Sequence, residues 1–196
     1  MKKRMVEITR KTKESKISLV WNLDGKGNYK ISTGIPFLNH MLELFSKHGR
    51  FDIQLNAKGD LAVDDHHTVE DIGLCFGKAL HQALGKREGI TRYGHAYVPM
   101  DETLAFCAVD LSGRPYLVYR VESPKTKIKT FDTGLLEHFL EAFVSQGFFN
   151  LHLELRYGKN PHHVFEGLFK AFARAMRAAV APDAGGGVPS TKGVLG

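Results

Sequence analysis

The run His-His-x-x-Glu occurs twice in this chain, at His66-His67 with Glu70 and at His162-His163 with Glu166, 96 residues apart. The same shift carries Phe76 onto Phe172 and Ala79 onto Ala175. A shift of 98 carries Leu38, His40, Leu42, Glu43, Phe45, Gly49 and Phe51 onto Leu136, His138, Leu140, Glu141, Phe143, Gly147 and Phe149. Matching apolar positions alone would describe any two amphipathic helices of equal length. Three histidines and two glutamates recurring in register would not. A chain of 196 residues built this way folds as a duplicated unit whose halves share one core.

Within each half the apolar period switches several times. Ile17, Leu19, Trp21 and Leu23 alternate as a strand, Asp24-Gly25-Lys26-Gly27-Asn28 reads as a turn, and Tyr29–Ser32 starts another strand, so a hairpin is expected. Pro36 opens a helix with an apolar stripe from Phe37 to Phe45, ended by Gly49. Phe51, Ile53, Leu55 and Ala57 alternate as a strand, and a helix capped by Asp64 or Asp65 runs to Gly85. The order then begins again. Strands are expected at Tyr93–Pro99, Leu104–Leu111 and Tyr116–Val121, the last two joined by Ser112-Gly113-Arg114-Pro115. A helix over about Thr133–Gln146, a strand through Leu151, Leu153 and Leu155, and a helix over about His162–Val180 complete the second half. The expected class is α+β, with duplicated βββαβα halves at 1–90 and 91–182, two four-stranded sheets with helices packed between or against them, and a C-terminal loop over 183–196.

Six of the ten histidines lie in the repeated polar positions: His40, His66, His67, His138, His162 and His163. In each run the first His and the Glu are four apart and share a helix face. The second His points about 100° away, badly placed for the same metal and well placed for a neighbouring one. Each run also has an upstream His, 26 and 24 residues before it. Six imidazoles and two carboxylates make two sites of three His and one Glu, with coordination positions to spare, so a reactive duplicated metal centre is expected. Cys75 and Cys107 stand in apolar surroundings without a CxxC pair, so thiolate ligands are not expected. The ligand set suits Mn²⁺, Fe²⁺, Co²⁺, Ni²⁺ or Zn²⁺ alike.

Net charge is +6, with a pI near 9.3. Basicity of this size fits phosphate esters, nucleic acid or an acidic surface equally. Beyond the first sixteen positions Lys and Arg are dispersed, with no aromatic-basic interleaving, which argues against a nucleic-acid platform. A two-metal hydrolase is the other enzyme class the ligands permit. No run suits a signal peptide or membrane span, so a soluble cytoplasmic protein with no membrane partner is expected.

The strings GIPFLNHML, DDHHTVED, DLSGRPYLV, EHF, KNPHHVFE and PSTKGVL, in this order from about Glu7 to Leu195, resemble the imidazoleglycerol-phosphate dehydratase family of histidine biosynthesis. The resemblance implies a hydro-lyase that converts D-erythro-imidazole glycerol phosphate to imidazole acetol phosphate. It implies two Mn²⁺ ions per active site, a duplicated fold like domain 2 of ribosomal protein S5, and a 24-subunit homo-oligomer with sites between subunits. The family's metal ligands carry over to His40, His66, His67, Glu70, His138, His162, His163 and Glu166, and these are also its catalytic positions. Glu14 stands near the substrate as candidate general acid/base, while Arg92, Arg114, Ser190 and Lys192 surround the phosphate. Lys159, beside the second metal run, is a further substrate candidate. Read alone, Glu14 is a charge in a Lys-rich arm, Asp71 belongs to the polar start of its helix, and Asp101 and Glu102 carry no assigned role. His48, His81, His95 and His152 fall outside the repeat.

Overall fold

The computed structural model describes residues 4–124, 126–191, 193 and 195. The first half runs β1 (Met5–Lys11), β2 (Ser15–Asn22), β3 (Tyr29–Ser32), α1 (Pro36–Gly49), β4 (Asp52–Gly59) and α2 (His66–Leu84). The second runs β5 (Tyr93–Met100), β6 (Thr103–Asp110), β7 (Tyr116–Arg120), a short hairpin of β8 (Lys127–Ile128) and β9 (Phe131–Asp132), then α3 (Leu135–Gly147), β10 (Asn150–Tyr157) and α4 (Pro161–Ala179). The first four-stranded sheet is ordered β1-β2-β4-β3 and the second β5-β6-β10-β7. The two halves therefore repeat one topology.

One expectation is corrected here. β2 and β3 are not a hairpin, because β4 lies between them, antiparallel to β2 and parallel to β3. The turn cluster instead clamps the start of β4: Asp52 Oδ1 accepts the backbone N–H groups of Lys26 and Asn28, both at 2.9 Å. Turn residues mark where the chain reverses, and they carry no record of a later strand entering the gap. β10 separates β6 from β7 in the same way. Within the two four-stranded sheets the hairpins are β1–β2 and β5–β6. β1 itself lies in the basic arm, with Ile8 buried opposite Leu19 and its charged side chains on an edge strand, where they discourage pairing with other chains. Pro99 is also on an edge strand, β5.

Alternation on β2 buries Ile17, Leu19 and Trp21 on one face. The Trp21 ring meets Phe45 of α1, Phe76 of α2 and Phe143 of α3 at centroid distances of 5.8, 5.3 and 5.9 Å. Phe45 in turn lies 4.9 Å from Phe172 of α4. Rings from both halves thus form one core, with the helices between the sheets. α2 covers β1, β2 and β4 and crosses α3, while α4 covers β5, β6 and β10 and crosses α1. Each crossing brings the HHxxE helix of one half against the upstream-His helix of the other.

Candidate metal centre

Local sequence places each histidine in the first turns of a helix. Pro36 starts α1, and Asn39 Oδ1 accepts the Thr33 backbone N–H at 3.0 Å, which folds the entry segment back and puts His40 one residue on. Asn160 caps α4, its side chain accepting the His162 N–H at 2.9 Å, with Pro161 in the first turn. At α2 the acceptor for the His66 N–H, at 2.9 Å, is Asp64; Asp65 makes no side-chain cap bond.

Where α1 crosses α4, His40 Nε2 lies 2.7 Å from Glu166 Oε1 and His162 Nε2 lies 3.1 Å from the same oxygen. One ligand atom from each of these three residues falls within 4.8 Å of the others. Bonds of about 2.0–2.2 Å to one cation would set such atoms up to roughly 4.4 Å apart, so the trio fits a divalent ion with small side-chain rotations. Glu166 is buried, and burial would raise its carboxyl pKa. Hydrogen bonds from Lys170, His40 and His162 outweigh burial and hold it at about 2, so it is a carboxylate at neutral pH. Lys170, 2.7 Å from Glu166 Oε2, was not found by sequence reading, although its position four residues after Glu166 on one helix is the signal.

The second crossing repeats the arrangement more loosely. His66 of α2 lies 5.0 Å from His138 of α3 by ring centroids, and His66 Nε2 lies 4.0 Å from Glu70 Oε2. The second histidines face elsewhere. His67 Nδ1 meets Asp60 Oδ2 at 3.1 Å, with Glu14 Oε2 at 4.0 Å. His163 Nδ1 meets Glu102 Oε2 at 2.8 Å. These hydrogen bonds raise both imidazole pKa values, the Asp60 bond leading at His67 and the Glu102 bond at His163. Glu102 is correspondingly lowered, chiefly by His163 and then by the Asn160 N–H. Asp60 carried no sequence signal, since no spacing links it to His67.

Glu14 stands on the tight β1–β2 turn, where Thr12 Oγ1 accepts the N–H groups of Glu14 and Ser15 at 3.1 and 2.9 Å. Asp71 is not a charge at the helix start. It is buried, and it accepts from Ser15 Oγ and, at 2.8 Å, from Arg10 Nε, tying that turn to α2. Lys159 is exposed beside the α4 cap. Arg92 grips Asp110 with Nε and Nη2, at 2.7 and 3.2 Å, and donates from Nη1 to Pro189 O at 2.7 Å, anchoring the loop that carries Ser190. Arg114 is exposed in the β6–β7 connection, and Lys192 lies outside the described residues. The Arg92 N–H bonds Ala179 O, so Arg92 sits at the far end of α4 from His162. Seventeen residues of helix separate Ala179 from His162, about 25 Å at 1.5 Å per residue. A glycerol phosphate cannot span that gap within one chain.

The family model for imidazoleglycerol-phosphate dehydratase matches residues 33–176. An imidazoleglycerol-phosphate dehydratase of Azorhizobium caulinodans is 54% identical over 98% of this chain and 99% of its own. One from Pelotomaculum thermopropionicum is 50% identical over the whole of both chains. Among solved structures, the enzyme from Staphylococcus aureus aligns with a TM-score of 0.82 at 39% identity, covering 91% of this chain and 99% of its own. The enzyme from Pyrococcus furiosus, in complex with (S)-C348, aligns with a TM-score of 0.83 at 34% identity, covering 96% and 100%. With its duplicated fold and both histidine runs inside the matched region, the chain belongs to the imidazoleglycerol-phosphate dehydratase family of hydro-lyases.

Proposed function

We propose that this chain removes water from D-erythro-imidazole glycerol phosphate to give imidazole acetol phosphate in histidine biosynthesis, in the cytoplasm, with two Mn²⁺ ions per active site. The observation that carries the metal reading is the His40–His162–Glu166 trio, with His66, Glu70 and His138 in the matching place at the other crossing. What a bound divalent cation supplies at such a place is Lewis acidity toward the substrate's imidazole.

The chain's own residues divide the remaining work. Glu14 is exposed on a hydrogen-bonded turn beside His67, and it takes the proton from the carbon next to the one that loses hydroxide. The resulting enol becomes the ketone when its hydroxyl gives up its proton and the ring-attached carbon gains one. Arg114, Ser190, Lys192 and the Arg92-anchored loop hold the phosphate, and Lys159 lies near the substrate. The separation of the Arg92 region from the trio along α4, and the pairing of His67 with Asp60 and of His163 with Glu102 instead of with the crossings, support active sites completed by another copy of this chain. A closed homo-oligomer, a 24-mer by the family resemblance, satisfies that need. Among the described residues no helix is long and apolar enough to cross a membrane.

The test is ketone formation from imidazole glycerol phosphate by chelated protein with and without added Mn²⁺. Product is expected only with the metal, and E14Q should lower turnover by about 10²–10⁴-fold with metal content unchanged. Equal rates without metal would remove the cations from the mechanism, and an unaffected E14Q would remove Glu14.

A further inference from the structure

Duplication gave this fold two turn glutamates as well as two HHxxE runs. A shift of 88 lays β2 on β6, with Ser15 on Thr103 and Glu14 on Glu102. Both glutamates stand beside the second histidine of a run, but they are held differently. Glu102 accepts from His163 Nδ1 at 2.8 Å and from the Lys159 and Asn160 N–H groups at 3.2 and 2.8 Å, so it is fully engaged. Glu14 Oε2 is 4.0 Å from His67 Nδ1, whose nearer acceptor is Asp60, at 3.1 Å. Asp60 follows Gly59 at the end of β4, whereas the segment after β10 reads Gly158-Lys159 and offers no carboxylate there.

We infer that Asp60 and Glu102, from non-equivalent positions, are matched positioning carboxylates that hold the second histidines in the tautomer a metal needs. A neutral imidazole has one N–H. An acceptor at Nδ1 keeps the proton there and leaves the Nε2 lone pair facing outward for a divalent cation. In the second half the turn glutamate does this, because Lys159 occupies the place of Asp60. In the first half Asp60 does it, and Glu14, whose carboxylate is hydrogen-bonded to none of the described residues, is left for proton transfer. The repeat has thus diverged at one position into a positioning residue and a reactive one. This inference rests on the metal reading above.

The experiment measures Mn²⁺ affinity by competition with a chromophoric chelator, on full-length wild type, D60N and E102Q, together with the melting midpoint of each chelated protein. Each variant should bind Mn²⁺ about 10–100-fold more weakly, with the chelated midpoint unchanged for D60N, whose other carboxylate oxygen is buried without a hydrogen-bond partner among the described residues. D60N and E102Q binding as tightly as wild type would overturn the inference and leave the proposed reaction standing. A lowered midpoint with unchanged affinity in both variants would overturn it too, by making the carboxylates structural. Wild type that takes up no Mn²⁺ would fail the metal reading itself, and this inference with it.

Discussion

The α2–α3 crossing requires glycine, and that requirement can be measured. α2 carries His66 and Glu70, and it approaches α3, which carries His138, along Gly73 and Gly77. A Cβ on Gly77 would lie 2.5 Å from Phe143 O and 2.6 Å from Gln146 Cβ, where ordinary contact begins at 3.4 Å. Against a backbone carbonyl the shortfall of 0.9 Å cannot be relieved by rotating a side chain, so the helices must part. Overpacking of this kind costs about 1–3 kcal/mol, and replacing helical Gly by Ala returns up to about 1 kcal/mol. Because the clash is with backbone, the upper part of the overpacking range applies, and G77A should lose about 1–2 kcal/mol, a fall of roughly 2–8 °C in midpoint for a chain of this size. It should also weaken cation binding at the His66–Glu70–His138 crossing. Gly167 of α4 is the internal control, because a Cβ there meets Ala105 Cβ at 3.4 Å and Thr103 Cγ2 at 3.6 Å, both ordinary contacts. G167A should melt at or slightly above wild type. Thermal denaturation of the chelated proteins at one fixed concentration decides the matter. G77A melting with G167A, at or above wild type, would refute the close-packing argument.

Arg87 is buried and donates to Phe148 O at 2.6 Å, Gly147 O at 2.9 Å and Leu111 O at 3.3 Å, closing the end of α3. R87A takes this donor from Gly147 O and Leu111 O, while Phe148 O keeps the Gly113 N–H at 3.0 Å, and it should cost about 2–3 kcal/mol by denaturant unfolding; a loss below about 1 kcal/mol would show that water replaces the guanidinium. Glu166 has its pKa lowered from 4.5 to about 2 in the folded chain, so its stabilising effect is full above pH 4.5 and is lost as pH falls toward 2. In chelated protein the advantage of wild type over E166Q in melting midpoint should shrink across that window, and a pH-independent difference would contradict it. If cations join sites shared between copies, exhaustive chelation should yield smaller species by size exclusion, and an unchanged elution volume would count against shared ligation.

The helices were legible because their ends carry local chemistry. Pro36 and Gly85 act within a few residues of where they stand, and α1, α2 and α4 run close to the expected spans, although Arg50 and not Gly49 takes the left-handed conformation that ends α1. Strand neighbours were not legible, since β4 and β10 enter gaps that only the folded sheet defines. β1 was hidden because its apolar alternation, through Val6 and Ile8, is interrupted by Arg and Lys suited to an edge strand. Spacing grouped His162 with Glu166 and His66 with Glu70, since four residues close a helical turn. It could not show that His40 joins the second run and His138 the first, which depends on which helices cross. Asp60, Glu102 and the buried Asp71 lie beyond any local pattern, reaching their partners only through tertiary packing.

The most direct test of the account is the number of Mn²⁺ ions bound per chain, measured on extensively dialysed protein for wild type and for a variant with both His40 and Glu166 replaced by Ala. The two crossings predict two ions per wild-type chain and one in the variant, retained at His66, Glu70 and His138. One ion per wild-type chain, or two in the variant, would contradict a duplicated metal centre built from the repeated histidine runs.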